Sequence, residues 1–420
     1  MLQGVRKQEK VHAKNKYGLA FAAVKIVDRI INIPNDVSDV MKQADTIKII
    51  NRLIKQTDNK TSELAAQQIV VDTACFTEPA LLAQERQRIF LAQPQVIAFA
   101  AEVARPKSFY TTECLGIPLL FCRDEAGVLK AFLNACPHRG ARLASGSGVL
   151  GVDGQANRFV CPFHGWVYNP DGQLHGRPQA ECFEPAGDEC QLTQLAVSDK
   201  YGLLVVGLTQ QISQHQVDSF LDSIGSEIES FELETLHSLE TRKIEAKANW
   251  KLIAQLSHES YHFANLHRDS VAQYLNANAV YDTFGKHSRW AFAMKGLDKL
   301  KRKPESEWPR FLNGAINHTL FPGTVMITNP EDAQMIRVEP GEKPGESTVY
   351  FSGVFRNADN QAAAEFAFNF GFDVFSGEDL PIAEQAQQAY EAGQQTMIIG
   401  RNEPVVAFWQ NQWAEVLKQP

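Results

Sequence analysis

Two short boxes carry the most specific chemistry in this chain. Cys136-Pro137-His138-Arg139-Gly140 and Cys161-Pro162-Phe163-His164-Gly165-Trp166 each offer one thiolate and one imidazole from a glycine-flanked loop. Thiolates suit iron bound to sulfide, and neutral imidazoles lower the negative charge on the metal. Two Cys on one iron and two His on the other make a [2Fe–2S] centre with a raised reduction potential. Gly140 and Gly165 allow tight turns that aim backbone N–H groups at the sulfides. A structural Cys2His2 zinc site is the bland alternative. The repetition of the box, each time followed by Gly, favours the cluster. Cys75, Cys114, Cys122, Cys182 and Cys190 read as structural thiols.

Asn249 to His267 is the second rich segment. Within it, His258-Glu259-Ser260-Tyr261-His262 matches HExxH. On a helix this places two His on one face and a Glu beside a zinc-bound water, the arrangement of a zinc metalloprotease. The longer form of that motif fails, because His267 follows His262 by five residues rather than six, and Asn265 stands where Gly is expected. The competing chemistry is ferrous: two His and one carboxylate on one face of the metal leave positions for O2. Five residues on an ideal helix turn about 500°. His262 and His267 can therefore share a metal only if the helix bends or ends between them.

Taken together, the two segments resemble the ring-hydroxylating oxygenase alpha-subunit family, the Rieske non-haem iron oxygenases. The first match includes Ala131-Phe132-Leu133-Asn134-Ala135 before the Cys136 box and Val167 to Leu174 after the Cys161 box. The second is Asn249-Trp250-Lys251, then Glu259-Ser260-Tyr261-His262-x4-His267. The resemblance implies that His262 and His267 are iron ligands. It also implies that Glu259 bridges electron transfer, as in a Glu-containing subset of a family that mostly has Asp there. Glu378-Asp379-Leu380-Pro381-Ile382-Ala383-Glu384-Gln385-Ala386-Gln387 resembles the family's Glu-Asp-x4-Glu-x2-Gln stretch, which makes Asp379 the third ligand. Asp373 and Glu378 are the nearest substitutes, and an Asp before Pro381 could instead cap a helix. His258 is then spare, a supporting or core polar group. The chain departs from the family at Gln255-Leu256, where many members have Glu-Asn. It also departs in the 22 residues between His138 and Cys161, a longer interval whose extra residues lie in Ser145 to Asn157. The likeness runs from about residue 65 to the end and leaves out 1–60.

That resemblance implies a terminal oxygenase component with a [2Fe–2S] cluster and mononuclear Fe(II). It would use O2 to hydroxylate or demethylate a small organic substrate, either an aromatic compound or a quaternary ammonium compound held by cation–π contact. No GxGxxG fingerprint is seen, so a separate NAD(P)H-dependent reductase, with or without a ferredoxin, is expected. A homotrimer is implied, with one subunit's cluster facing the next subunit's iron. A Rieske-type electron carrier remains the alternative of a different class.

The elements that must position these residues read as an α+β fold. A formal charge of −8 argues against nucleic acid as a partner, although residues 1–60 alone carry 12 Lys+Arg against 6 Asp+Glu. No run of about 18 apolar residues suggests a membrane span, and an odd number of cysteines without a secretion signal suggests the cytoplasm. Residues 1–60 read as a helical extension, with Val37, Met41, Ala44, Ile47, Ile50 and Ile54 on one face. Residues 61–105 read as helical, including Pro79 to Leu91, and pack with the catalytic domain. An antiparallel β Rieske domain is expected over 106–195, with strands at Ile117–Cys122 and Val128–Leu133 about an Asp124–Gly127 turn. It is inserted in a catalytic domain over 196–420, with a central antiparallel sheet and helices. Strands are expected at Tyr201–Leu208, Thr241–Ala248, Thr324–Thr328, Met335–Val338 and Thr348–Val354. A helix is expected at Val217–Phe231, and the stretch from Leu380 should be mostly helical.

Overall fold

The computed structural model describes residues 37–151, 157–309, 312, 316–329 and 331–418. The N-terminal extension before residue 37 and the centre of the glycine-rich insert lie outside the described residues. The chain forms two compact units. In the smaller, which includes Lys299–Phe311, the Trp308 indole N–H donates to the carbonyls of Leu300 and Lys303. The larger unit, Ile49–Asp298 with Leu312–Pro420, carries every candidate site residue.

Helix α1 (Val37–Asn59) buries Ile50, Leu53 and Ile54, as its three- and four-residue spacing requires. Arg52 on the same helix pairs with Glu63 at 2.7 Å and Asp282 at 2.8 Å. Residues 61–105 are not simply helical. Strand β1 (Ile69–Asp72) comes first, α2 (Pro79–Glu85) continues through a π turn to Leu91, and β2 (Gln95–Phe99) follows. Both strands are rich in Val and Ile, which suit the pleated backbone. Their partners lie far along the chain, so local periodicity did not show them.

Strands β3 (Ser108–Cys114), β4 (Ile117–Arg123), β5 (Leu129–Leu133) and β6 (Ser147–Val149) build most of a five-stranded antiparallel sheet. Strands β7 (Phe159–Val160), β8 (Val167–Tyr168) and β9 (Leu174–Gly176) form a second, three-stranded sheet. Strand β10 (Gln194–Leu195) closes the edge of the first against β5. The apolar run in β4 is continuous because both faces are covered. Leu120 and Cys122 pack toward Tyr168 and the cluster cysteines, whereas Leu119 and Phe121 pack toward Ile97 and Leu204. Strand β11 (Val197–Ser198) pairs with β12 (Leu203–Val206), which in turn pairs with β2, beneath this second face.

The helix expected at Val217–Phe231 is two helices, α3 (Gln214–Ser219) and α4 (Asp222–Glu229). Beyond them β13 (His237–Ala246) and α5 (Trp250–Ala254) lead into β14 (Leu275–Phe284), β15 (His287–Met294), β16 (Ile316–Leu320), β17 (Thr324–Thr328), β18 (Asp332–Pro340) and β19 (Ser347–Phe355). These seven strands make one antiparallel sheet, ordered β13-β19-β18-β17-β16-β15-β14. Helices α6 (Gln361–Val374), α7 (Leu380–Glu391) and α8 (Pro404–Lys418) accompany it, and β20 (Thr396–Ile399) pairs with β1. The core joins Val325, Ile336, Val349 and Phe351 of the sheet to Trp250, Phe368, Leu380 and Trp409 of the helices. The architecture is α+β with antiparallel sheets, as the sequence suggests. No helix among the described residues is long and apolar enough to cross a membrane.

Candidate metal centres

The two boxes fold as matched loops. Cys136 N–H donates to Ala141 O at 2.8 Å, and Gly140 N–H returns to Cys136 O at 2.7 Å. In the second box Cys161 N–H donates to Trp166 O at 2.7 Å and Gly165 N–H to Cys161 O at 3.0 Å. Gly140 and Gly165 both have left-handed φ, 78° and 70°, which a side chain would strain. The loops bring the two thiols together in the core and set the imidazoles of His138 and His164 edge to face, 4.5 Å between centroids. The Nδ1 atoms of both histidines are buried without a hydrogen-bond partner. Buried ring nitrogens normally have partners, so these two are placed to ligate a bound group. The donor set, two sulfurs and two inward Nδ1 atoms, fits a [2Fe–2S] cluster. His138 stacks on Trp166 at 4.9 Å, and Arg177 covers Trp166 and Phe183. The sequence reading did not single out Tyr168. Its hydroxyl lies 3.2 Å from Cys136 Sγ, and burial keeps the phenol protonated.

The second centre starts from an anchored helix. Asn249 caps α5, its side chain accepting from Lys251 N–H at 3.0 Å. Trp250 Nε1 donates to Glu85 at 2.8 Å, and the buried Lys251 ammonium pairs with the same carboxylate. The helix passes into a 3-10 turn, Gln255–His258, and stops. Glu259 is extended, with φ −153° and ψ 164°. The helix thus ends before both ligand candidates rather than between them. Glu259 explains the stop: its carboxylate accepts from the backbone N–H groups of Tyr261 and His262, in place of the helical carbonyls. His258 and His262 therefore share no helical face, which overturns the HExxH zinc arrangement. His258 is 1% exposed, packs edge-on to Trp409, and burial pushes its pKa down to about 3.

From the other side, α6 runs into a π turn, Phe375–Asp379, in which Leu380 N–H reaches back to Phe375 O. Pro381 lies just beyond. It lacks an N–H and crowds the preceding turn, a local reason for the widening. Asp379 caps nothing. Its Oδ1 stands 3.1 Å from His267 Nε2 and 3.6 Å from His262 Nε2, buried and without a hydrogen-bond partner. Ligand atoms of His262, His267 and Asp379 all lie within 4.8 Å of one another. Glu378 is not a substitute ligand here; it accepts from His267 Nδ1 and from Ser270 Oγ, both at 2.7 Å. Burial works against protonation of His267, but Asp379 and Glu378 outweigh it and push its pKa up to about 9. The site therefore favours a cation. Asp373 is not in the cluster of donor atoms. Glu259 lies against His262 Nδ1 and is not in that cluster either.

The Glu-x2-Gln part of the downstream stretch registers the two halves. Glu384 accepts from Lys247 N–H at 3.0 Å, and Gln387 Oε1 accepts from Asn249 N–H at 3.1 Å. Residues three apart share a helix face, so α7 holds Asp379 in step with the segment bearing His262. Gln255, where the family pattern is broken, contacts Met397 Sδ at 3.7 Å and Gln410 at 3.5 Å.

Comparison with known proteins adds to this geometry. The Rieske [2Fe-2S] domain family matches residues 93–196, and the ring hydroxylating alpha subunit (catalytic domain) family matches 233–419. The carnitine monooxygenase oxygenase subunit of Escherichia coli (strain K12) is 25% identical over 364 residues, covering 82% of this chain and 92% of that protein. The glycine betaine monooxygenase oxygenase subunit of Chromohalobacter salexigens is 28% identical over 209 residues, 49% of this chain and 44% of the relative. In fold, the chain is similar to the quaternary ammonium Rieske monooxygenase CntA solved with L-carnitine. The TM-score is 0.71 at 20% identity, over 85% of this chain and 97% of the other. Naphthalene 1,2-dioxygenase with indole gives a TM-score of 0.65 at 16% identity, over 85% and 94%. With both domains present in order, the chain belongs to the Rieske non-haem iron oxygenases, oxidoreductases that use O2 with a [2Fe–2S] cluster and mononuclear iron.

Proposed function

We propose that Cys136 and Cys161 hold one cluster iron, His138 and His164 the other, and that His262, His267 and Asp379 hold Fe(II). The convergence of these last three donors around a buried, unpartnered carboxylate oxygen carries the reading. When bound, the cluster relays single electrons and the ferrous ion activates O2. The chain's own residues prepare for this. Glu378 and Ser270 orient His267, and Tyr168 donates to Cys136. Glu259 accepts from His262 Nδ1 and extends the link toward His138 or His164 of a neighbouring subunit. We take 106–195 as the cluster domain and 196–420 as the iron domain, with 61–105 packed on the latter and 1–60 as an extension. A homotrimer is supported by apolar side chains at both ends of the proposed link: Phe163 is 56% exposed beside the cluster histidines, and Tyr261 is 69% exposed beside Glu259. Electrons come from a separate NAD(P)H-dependent reductase, with or without a ferredoxin. The described thiols are all free, which fits a cytoplasmic enzyme.

For substrate we propose a small quaternary ammonium compound, hydroxylated so that a carbon–nitrogen bond can break. The named relatives act on carnitine and glycine betaine. Phe263, 5.7 Å from His267 between ring centroids, joins Trp290 and Phe292 in an aromatic cluster beside the iron donors, the ring type that attracts a quaternary cation. The test is substrate-dependent O2 consumption with a surrogate reductase, offering carnitine, glycine betaine and choline against naphthalene and indole. Coupled product from a quaternary ammonium compound is expected. Coupled product from the aromatic compounds alone would replace this substrate class with the other.

A further inference from the structure

His258 lies next to Glu259 yet takes no part in either metal centre. Both of its ring nitrogens are buried without hydrogen-bond partners. Trp290, 3% exposed, likewise has a buried Nε1 with no partner. Leaving a buried donor or acceptor unpaired costs about 1–3 kcal/mol, so unpaired groups on two neighbouring side chains call for a common partner. They share one. His258, Trp290 and Glu259 line the same small cavity, about 10 Å³, with Ser260, Glu63 and Asn402 also in its wall. That space matches a single water molecule, and such a water needs two to four polar partners. Trp290 Nε1–H can donate to it, the neutral His258 can accept or donate, and the water keeps a proton for the Glu259 carboxylate.

We propose that His258 and Trp290 hold one internal water that fixes Glu259, and that His258 is thereby a positioning residue for electron transfer. Glu259 already spends one oxygen on the backbone N–H groups of Tyr261 and His262 and the other on His262 Nδ1. A hydrogen bond from the cavity side keeps the carboxylate from swinging away when a partner imidazole competes for it. A neutral His258 suits the role, because a charged ring could only donate. This proposal rests on the reading of Glu259 as the bridge between the two centres.

The test uses the full holoenzyme with cluster and iron in place. The cluster is reduced chemically and mixed rapidly with O2 and substrate, and its reoxidation is followed optically. His258→Phe and Trp290→Phe should each retain iron and an unaltered cluster spectrum while slowing reoxidation, by about 10-fold for His258→Phe. His258→Gln, which can still hydrogen-bond to the water, should recover most of the rate. A crystal structure of the holoenzyme should show a water within about 3.2 Å of His258 and Trp290 Nε1. Glu259→Gln is the control. Slow reoxidation there with wild-type rates in both His258→Phe and Trp290→Phe would sink the proposal and spare the bridge. Normal reoxidation in Glu259→Gln would remove the bridge itself, and this proposal with it. Equal slowing in His258→Phe and His258→Gln, or a cavity without water, would overturn the water-mediated role.

Discussion

At the cluster end, two loops with the same backbone hydrogen bonds carry four donors, and each loop takes its shape from one glycine with left-handed φ. At the iron end, the donors come from a turn segment after a stopped helix and from a π turn far downstream. There the positions are held by side chains: Glu378 on His267, Glu259 on His262, Gln387 on Asn249. The first centre is fixed by backbone that closes on itself. The second is fixed by carboxylates and amides that join distant segments. This difference should decide how each centre fails.

The largest effect is selective loss of a metal. Cys136→Ser should abolish the cluster spectrum, while His267→Ala and Asp379→Ala should leave that spectrum intact and remove mononuclear iron together with turnover. Wild-type protein should contain about three irons per chain. Metal analysis with visible spectroscopy checks this. Joint loss of both metals from one substitution would show that the two centres are not held independently.

Acid should find the catalytic half first. His258 and His287 are buried there, with pKa values pushed down by burial to about 3 and about 4. His287 is built to be neutral, since Nδ1 accepts from Phe321 N–H at 3.1 Å while Nε2 faces Phe220 O at 3.0 Å. Unfolded, both titrate near about 6.5. The unfolded chain therefore binds more protons below that pH, and stability present above it falls as pH drops toward 4 and then 3. The loss is about 1.4 kcal/mol per pH unit for each residue. Denaturant titrations from pH 7 to 4 should show this slope, and His258→Phe should flatten it. An unchanged slope would mean that His258 does not stay neutral in the fold.

Glu378→Gln tests the side-chain mode of support more gently. The amide fills the same space but weakens the hold on His267 Nδ1, and outer partners of metal ligands typically matter about 10–100-fold in affinity. Iron affinity should fall by that order with the cluster untouched. Full affinity in this variant would mean that the surrounding packing, not Glu378, orients the ring.

Legibility followed the same division. The cluster donors lie in two compact boxes, and their loops are local structures that short sequence patterns can describe. Much of the β architecture near them was legible too, since β4 and β5 flank an evident Asp124–Gly127 turn. The strands β1 and β2 were not, because what makes them strands is pairing with β20 and β12. Strands β14 to β16 and helix α6 also escaped notice. Near the iron, residue types pointed to His262, His267 and Asp379, but the point where the helix stops depends on Glu259 folding back on its own backbone. The support given by Glu378 needs three dimensions as well. Beside Asp379 in sequence it looks like a rival ligand; only the widened turn lets neighbouring residues reach opposite edges of one imidazole.

The smallest expected effect returns to the cluster end, where one side chain does add to the backbone cage. Tyr168 is fully buried, and its hydroxyl lies 3.2 Å from Cys136 Sγ. Burial and the neighbouring thiol disfavour the phenolate, so the hydroxyl is the donor. A hydrogen bond to a ligating sulfur is worth more when the cluster gains an electron and its sulfurs become more negative, which raises the reduction potential. Tyr168→Phe removes that donor and little else, at about 1 kcal/mol in stability. Iron content should stay constant, and the cluster potential should fall in a redox titration followed by visible absorption. Reduction by the partner reductase should slow, while transfer from cluster to iron gains driving force. An unchanged potential would assign Tyr168 to packing alone and leave the cluster end held by backbone throughout.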